Sequence, residues 1–177
     1  RSSASWYGVA MSSTGQYQSA IIEGGFIYTS YDYGITWTAR DTSRNWRGIS
    51  ISSNGQYQSA VDYSGGSGYI YTSSDFGVTW IRRPEWYGGW WSISLSSTGQ
   101  YQSAVIYSGG HGQYIYTSYD YGVSWRRNTS MGTYAWRGIS ISGSGQYQTA
   151  VPEGNTYVWT SSDYGNTWTQ RSGYRSE

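Results

Sequence analysis

Residues 116–125 read YTSYDYGVSW, and the fold follows from that stretch. It recurs as YTSYDYGITW (28–37), YTSSDFGVTW (71–80) and WTSSDYGNTW (159–168). Four copies of one hairpin in 177 residues mark a repeat protein. Each copy sets Asp two residues after Ser, Gly two after Asp, and Ser or Thr with Trp directly beyond. The spacing predicts a tight turn in which the carboxylate accepts hydrogen bonds from turn N–H groups and a hydroxyl, while Gly takes the positive φ. Asp32, Asp75, Asp120 and Asp163 therefore read as structural, because four equivalent turns have four equivalent local jobs. Trp37, Trp80, Trp125 and Trp168 follow as packing residues, one per repeat.

The segments ahead of each hairpin repeat as well. Trp46-Arg47-Gly48 leads through ISIS and SNGQ to Tyr57-Gln58-Ser59-Ala60-Val61, with counterparts starting at Trp6, Trp90 and Trp136. The alternation of Ile49-Ser50-Ile51-Ser52 has period two, and no stretch shows a helical period. Each repeat thus supplies four short strands, A to D, in an antiparallel meander. The expectation is an all-β chain, a β-propeller of four four-stranded antiparallel blades. They span approximately residues 4–40, 44–83, 88–127 and 134–171 of one repeat domain, 1–177. The alternative is a half-ring that dimerises into a larger propeller, so a homo-oligomer is compatible with the sequence.

Lengths separate the two ends of the blades. From leading Trp to turn Gly the distance is constant (6 to 15, 46 to 55, 90 to 99, 136 to 145), as it is from hairpin Thr to Trp (29 to 37, 72 to 80, 117 to 125, 160 to 168). The B–C connection varies (20 to 29, 60 to 72, 104 to 117, 150 to 160), and so does the D–A connection (37 to 46, 80 to 90, 125 to 136). One face is uniform and the opposite face variable, and variable loops on a repeated scaffold are where function is placed.

The Ser-x-Asp-x-Gly-x-Thr-Trp boxes at 30–37, 73–80, 118–125 (Ser124 for Thr) and 161–168 resemble the Asp-box, or BNR, repeat. That family includes sialidases, other glycoside hydrolases, sortilin-type receptors and photosystem assembly factors. The resemblance implies a propeller with its Asp-boxes on the C–D turns, away from the functional face. It does not imply one activity. A sialidase needs an arginine cluster, a Tyr–Glu pair, an acid Asp and a Phe/Tyr-Arg-Ile-Pro motif, and Ile81-Arg82-Arg83-Pro84 does not match that motif.

Composition narrows the function further. There is no cysteine and a single histidine, His111, so neither a thiol nucleophile nor a multi-histidine metal site is available, and no metal or cofactor is called for. A net charge of +1 argues against nucleic acid, and no apolar run is long enough to span a membrane. The abrupt start at Arg1 is compatible with a trimmed N-terminus, and the sequon Asn128-Thr129-Ser130 with secretion to the outside or surface of the cell.

The positive charges are all Arg, gathered where a strand D passes toward the next strand A. The second position of strand A, beside the channel of a propeller, is held by Tyr7, Arg47, Trp91 and Arg137. Around them the variable face carries Trp86, Trp90 and Tyr107, with the acids Glu23, Asp62 and Glu153 in B–C loops. Two Arg among aromatics suit a ligand with an apolar ring face and an anionic or hydroxyl-rich edge, which describes an acidic or sulfated glycan or a similar small molecule. Arg82, Arg126 and Arg171 read instead as charges that blunt sheet edges. No catalytic residue is assigned. The favoured function is a non-catalytic, extracellular, lectin-like carbohydrate-binding module. The alternatives are a glycoside hydrolase of the sialidase-like type and a self-assembling structural protein.

Overall fold

The computed structural model describes residues 5–154 and 157–172, so the ends of the expected domain 1–177 and the start of its first blade at residue 4 lie outside the described residues. The first repeat supplies β1 (Trp6–Met11) and β2 (Gln18–Ser30). Then come β3 (Thr38–Ile51), β4 (Gln58–Asp62), β5 (Gly68–Ser73), β6 (Ile81–Leu95), β7 (Gln102–Ser108) and β8 (Ile115–Ser118). The chain goes on with β9 (Arg126–Asn128), β10 (Trp136–Ile141), β11 (Gln148–Pro152), β12 (Tyr157–Ser161) and β13 (Thr169–Ser172). Among the described residues all strand pairs are antiparallel, and the order along each sheet is the order in sequence: β1 to β9 in one sheet and β10 to β13 in a second.

The all-β antiparallel architecture agrees with expectation, but the strands are not parcelled into four separate sets of four. β3 and β6 continue through the D–A connections that the sequence suggested would be loops. The reason is local. Glu23 pairs with Asn45, Gly25 with Arg44, and Ile27 with Arg40, so one strand keeps its partners across the connection. The surplus residues of β3 are absorbed in a bulge at Asp41, whose φ is 55°. β2 turns in the same way at Gly24, with φ 70°. Between β9 and β10 no strand runs through, and the sheet ends there.

Successive repeats pack face to face. Trp46, Ala60 and Tyr71 of the second repeat lie on Ile21 and Ile27 of the first. Trp90, Ile93, Ala104, Tyr116 and Trp125 of the third lie on Val61 and Ile70 of the second. Trp136, Ile139, Ala150, Trp159 and Trp168 of the fourth lie on Val105 and Ile115 of the third. Trp46, Trp90 and Trp136 are fully buried. At 150–250 Å² per ring, each removes apolar surface worth on the order of 4 to 6 kcal/mol of gross hydrophobic stabilisation.

Polar bonds repeat across the same junctions. Ser19 Oγ donates to Gln58 Oε1, Ser59 to Gln102 and Ser103 to Gln148, each at 2.7 Å and buried. A backbone ladder runs Ser13 N to Ser53 O, Ser53 N to Ser97 O and Ser97 N to Gly143 O, at 2.8–2.9 Å. Each repeat therefore rests on the next, and among the described residues the sheets do not close into a ring.

Candidate functional site

The Asp-boxes form four superimposable turns. In the first, Ser30 Oγ donates to Asp32 Oδ1 at 2.8 Å and accepts from Gly34 N at 2.9 Å. Thr36 N and Oγ1 donate to Asp32 Oδ1 and Oδ2 at 2.8 and 2.6 Å, and Trp37 Nε1 donates to Gly34 O at 3.0 Å. Asp75, Asp120 and Asp163 accept the same hydroxyl bond at 2.6 Å from Thr79, Ser124 and Thr167. The Thr36 hydroxyl, its N–H and the Ser30 hydroxyl hold the Asp32 carboxyl down to about 2. At Asp75, Asp120 and Asp163 partial burial pushes the other way and the same bonds outweigh it, so these too are lowered. Every box carboxylate thus accepts three hydrogen bonds from its own turn.

One feature of the boxes is absent from the sequence reading. The residue before Gly also has positive φ: Tyr33 at 60°, Phe76 at 63°, and Tyr121 and Tyr164 at 61°. For an aromatic residue this conformation costs roughly 1–2 kcal/mol. It aims the ring at the preceding repeat, where Phe76 meets Tyr17, Tyr121 meets Tyr57 and Tyr164 meets Tyr101, with centroids 4.4–4.7 Å apart. For Phe76, Tyr121 and Tyr164 contact across the junction offsets the local strain, whereas Tyr33 holds the same φ while exposed.

The second positions of β1, β10 and the A segments of β3 and β6 come together, as their common place in the repeat suggests. The Arg47 guanidinium lies 4.5 Å from the Tyr7 ring, 5.2 Å from Trp91 and 5.6 Å from Tyr63. The Arg137 guanidinium lies 4.3 Å from Trp91 and 4.0 Å from Tyr107. Aromatic and guanidinium planes therefore alternate, Tyr7, Arg47, Trp91, Arg137, across four repeats. Each contact of this kind is worth about 0.5–1 kcal/mol where exposed and about 2 where desolvated.

The acids complete the arrangement. Glu23 accepts from Arg47 Nη2 at 2.6 Å, and Glu153 from Arg137 Nη2 at 2.5 Å. The Arg137 bond, and after it one from the Tyr107 hydroxyl, holds Glu153 below the usual carboxylate range, while the bond to Glu153 pushes the Tyr107 phenol up. For Arg47, burial opposes the charge, but Glu23 and Tyr7 outweigh it and raise the pKa. Arg47 Nε is buried without an acceptor among the described residues. The pairing is not uniform. Glu23 reaches from the first repeat to the second, whereas Glu153 and Arg137 belong to the same repeat, so local spacing does not signal the pairs.

Three residues assigned to this face from the sequence are not part of the stack. Trp90 is fully buried in the core between the second and third repeats, one residue from Trp91 but on the opposite side of the strand. It has no surface to offer a ligand. Asp62 is buried (2% exposed), and its burial pushes its carboxyl up against hydrogen bonds from Ser64 and Tyr69 and the charge of Arg44. Among the described residues its Oδ1 has no hydrogen-bond partner. Trp86 belongs to a second aromatic group, donating from Nε1 to Trp125 O at 3.0 Å. There the Arg127 guanidinium lies 5.3 Å from its ring, and His111 packs against both Trp86 and Tyr87, at 5.3 and 4.4 Å.

The edge arginines mostly bond within their own sheet. Arg83 Nε donates to Thr72 Oγ1 at 2.9 Å and Arg171 Nε to Thr160 Oγ1 at 3.0 Å, while Arg82 and Arg126 lie over Tyr69 and Tyr119. The sequon is occupied structurally. Asn128 Nδ2 donates to Gly165 O and Asn166 O at 3.2 and 3.0 Å, tying β9 to the last box. A glycan on that nitrogen would take one of its two hydrogens, so both bonds could not persist.

Among the described residues no helix is long and apolar enough to cross a membrane. A family model described as the BNR-Asp box repeat matches residues 70–82 and 158–170. No curated protein matches the sequence. Solved structures match in shape. A structure described as YCF48 bound to D1 peptide superposes with a TM-score of 0.68 and 16% identity, over 98% of this chain and 55% of that one. A nidogen/laminin complex gives 0.72 and 14%, over 93% and 62%. The GH74 xyloglucanase from Xanthomonas campestris gives 0.66 and 12%, over 92% and 29%. This chain thus spans less than two thirds of each of these three, and at such identities the likeness concerns the fold alone. Boxes, meander and shape agree: the chain carries BNR-Asp box repeats on a propeller-like all-β fold.

Proposed function

We propose that the chain is a non-catalytic, extracellular carbohydrate-binding module whose four repeats act as four blades of a propeller arc. Its ligand rests on the stack Tyr7, Arg47, Trp91, Arg137. The observation that carries this reading is the alternation of ring faces and guanidinium groups, with Glu23 and Glu153 on the arginines at 2.6 and 2.5 Å. Aromatic faces suit the apolar side of a sugar ring, and paired Arg and Glu present donors and acceptors side by side for vicinal hydroxyls.

The pairing also refines the ligand class. Each guanidinium already has a carboxylate partner, so a carboxylated or sulfated sugar must displace a glutamate that a neutral sugar can keep. A neutral, hydroxyl-rich glycan is therefore favoured over an acidic one. Hydrolysis is disfavoured because a glycosidase needs a carboxylic acid that is still protonated near neutral pH. Glu153 is shifted the wrong way, and Asp62, which is shifted upward, is buried.

A glycan array probed with the whole chain, followed by titration of any hit, tests the proposal. Trp91→Ala is expected to weaken binding at least tenfold with the thermal melt shifted little, since Trp91 is only partly buried. Binding that survives Trp91→Ala and Arg137→Ala would refute the site. A chain that binds no glycan but captures a peptide would refute the ligand class.

A further inference from the structure

The three internal junctions share one design, and the first and last repeats each carry half of it unmatched. In each junction the later repeat offers a hollow built from Trp, an aliphatic residue, Ala, an aromatic and the box Trp, and the earlier repeat fills it with two aliphatic side chains. The hollow of the first repeat is open. It is an apolar groove of about 440 Å³ lined by Trp6, Val9, Ala20, Ile22, Tyr28 and Trp37. Trp6 is 57% exposed and Val9 64%, whereas the equivalents Trp46, Trp90 and Trp136 are fully buried. At the far end, Val151 and Val158 stand where Val61 with Ile70, and Val105 with Ile115, fill the internal hollows. Val151 is 39% exposed.

The polar parts are unmatched in the same sense. The backbone ladder ends with the Ser13 carbonyl on one side and the Gly143 N–H on the other. Gln18 occupies the place of Gln58, Gln102 and Gln148, which accept from the serine of the preceding repeat, and exposed Thr149 occupies the place of that serine. Ser94 Oγ accepts from Ile141 N, and exposed Ser140 is its counterpart one repeat on. Tyr147 (59% exposed) and Tyr33 (63%) are the fourth pair in the series Tyr17–Phe76, Tyr57–Tyr121, Tyr101–Tyr164.

We propose that the groove of the first repeat is a docking site for the fourth repeat of a second copy of this chain, which rebuilds the internal junction between molecules. Val151 and Val158 enter the groove, and the Thr149 hydroxyl donates to Gln18 Oε1. The Gly143 N–H donates to the Ser13 carbonyl, and Tyr147 packs on Tyr33. The occupant follows from continuity: the surface that fits this hollow three times within the molecule is displayed free at its other end. Two copies joined at both ends close a ring of eight repeats with two-fold symmetry, and joined at one end they propagate as a filament. Both products use the same contact.

Mass photometry and sedimentation velocity of the whole chain, with the variants Val9→Glu and Val151→Glu, test this. The unmodified chain is expected to form dimers or longer head-to-tail assemblies. Either variant buries an unpaired carboxylate in the junction and is expected to weaken assembly on the order of a hundredfold, leaving folded monomers by circular dichroism. An equimolar mixture is expected to regain a one-to-one dimer, since it restores one sound groove and one sound filling face. A monomeric unmodified chain overturns the proposal, as does assembly that survives Val151→Glu or a mixture that fails to pair. Should either variant fail to fold, Tyr33→Asp and Tyr147→Asp, at the rim of the same contact, repeat the test with the same three outcomes.

Discussion

Ser59→Ala tests the account of the repeat junctions most directly. Ser59 is fully buried, and its hydroxyl donates to Gln102 Oε1 of the next repeat at 2.7 Å. Gln102 is 1% exposed, and its amide nitrogen is already used, donating to Gly99 O at 3.0 Å. Replacing serine with alanine removes one oxygen and creates almost no cavity, so the packing term is small. What remains is a buried amide oxygen stripped of its donor, which costs about 1–3 kcal/mol. In a domain of this size that corresponds to a fall of roughly 2–12 °C in melting temperature. Ser13→Ala is the matched control. Its hydroxyl also crosses a junction, donating to Ser53 O at 3.0 Å, but the site is exposed, and a change within about 0.5 kcal/mol is expected. Near-UV circular dichroism during urea titration, which follows the aromatic junctions, reads both. Equal losses for the two variants, or no loss for Ser59→Ala, would refute the claim that buried polar bonds between repeats set the stability.

Acid is expected to undo the boxes. The folded Asp32 carboxyl sits at about 2 against an ordinary 3.8, and Asp75, Asp120 and Asp163 are lowered as well. A lowered acid contributes stability that is complete above its unfolded pKa and is lost as pH falls through the folded one. Melting temperature should therefore drop from about pH 3.8 toward pH 2, and a flat profile in that window would contradict the assignment. Asp62 has the opposite sign. Burial raises its pKa, so folding favours its protonated form and its charge opposes folding at neutral pH. Asp62→Asn is expected to raise the melting temperature at neutral pH, with the gain shrinking as acid protonates Asp62 in the parent chain. A gain independent of pH would refute that cause.

The parts of the structure legible in sequence are those made within about ten residues. A box closes its own hydrogen bonds between Ser30 and Trp37, so residue order alone announces it. The stack was legible for a related reason: Tyr7, Arg47, Trp91 and Arg137 share one position in the repeat, and strands laid side by side must bring that position together. What escaped depended on a neighbour. Trp6 and Trp90 have the same local context, yet one is 57% exposed and the other fully buried, because only the second has a repeat packed on its hollow. Trp90 and Trp91 are adjacent letters on opposite sides of one strand, and the register that separates them is set by pairing with β7. The paired left-handed residues of the boxes also escaped, since side-chain order does not announce an aromatic at φ near 60°, a conformation Tyr33 adopts even without a preceding repeat.

The continuity of β3 and β6 has a mechanical consequence. These strands splice the first repeat to the second and the second to the third, so bending at either joint must distort a paired backbone. The third and fourth repeats share side chains, the Ser97 N–H bond to Gly143 and the Asn128 clasp, but no through-going strand. The arc is thus a stiff three-unit lever with one compliant joint before its last unit. Amide exchange under native conditions is expected to be faster in β10–β13 than in β4–β7, which through-going strands hold on both sides.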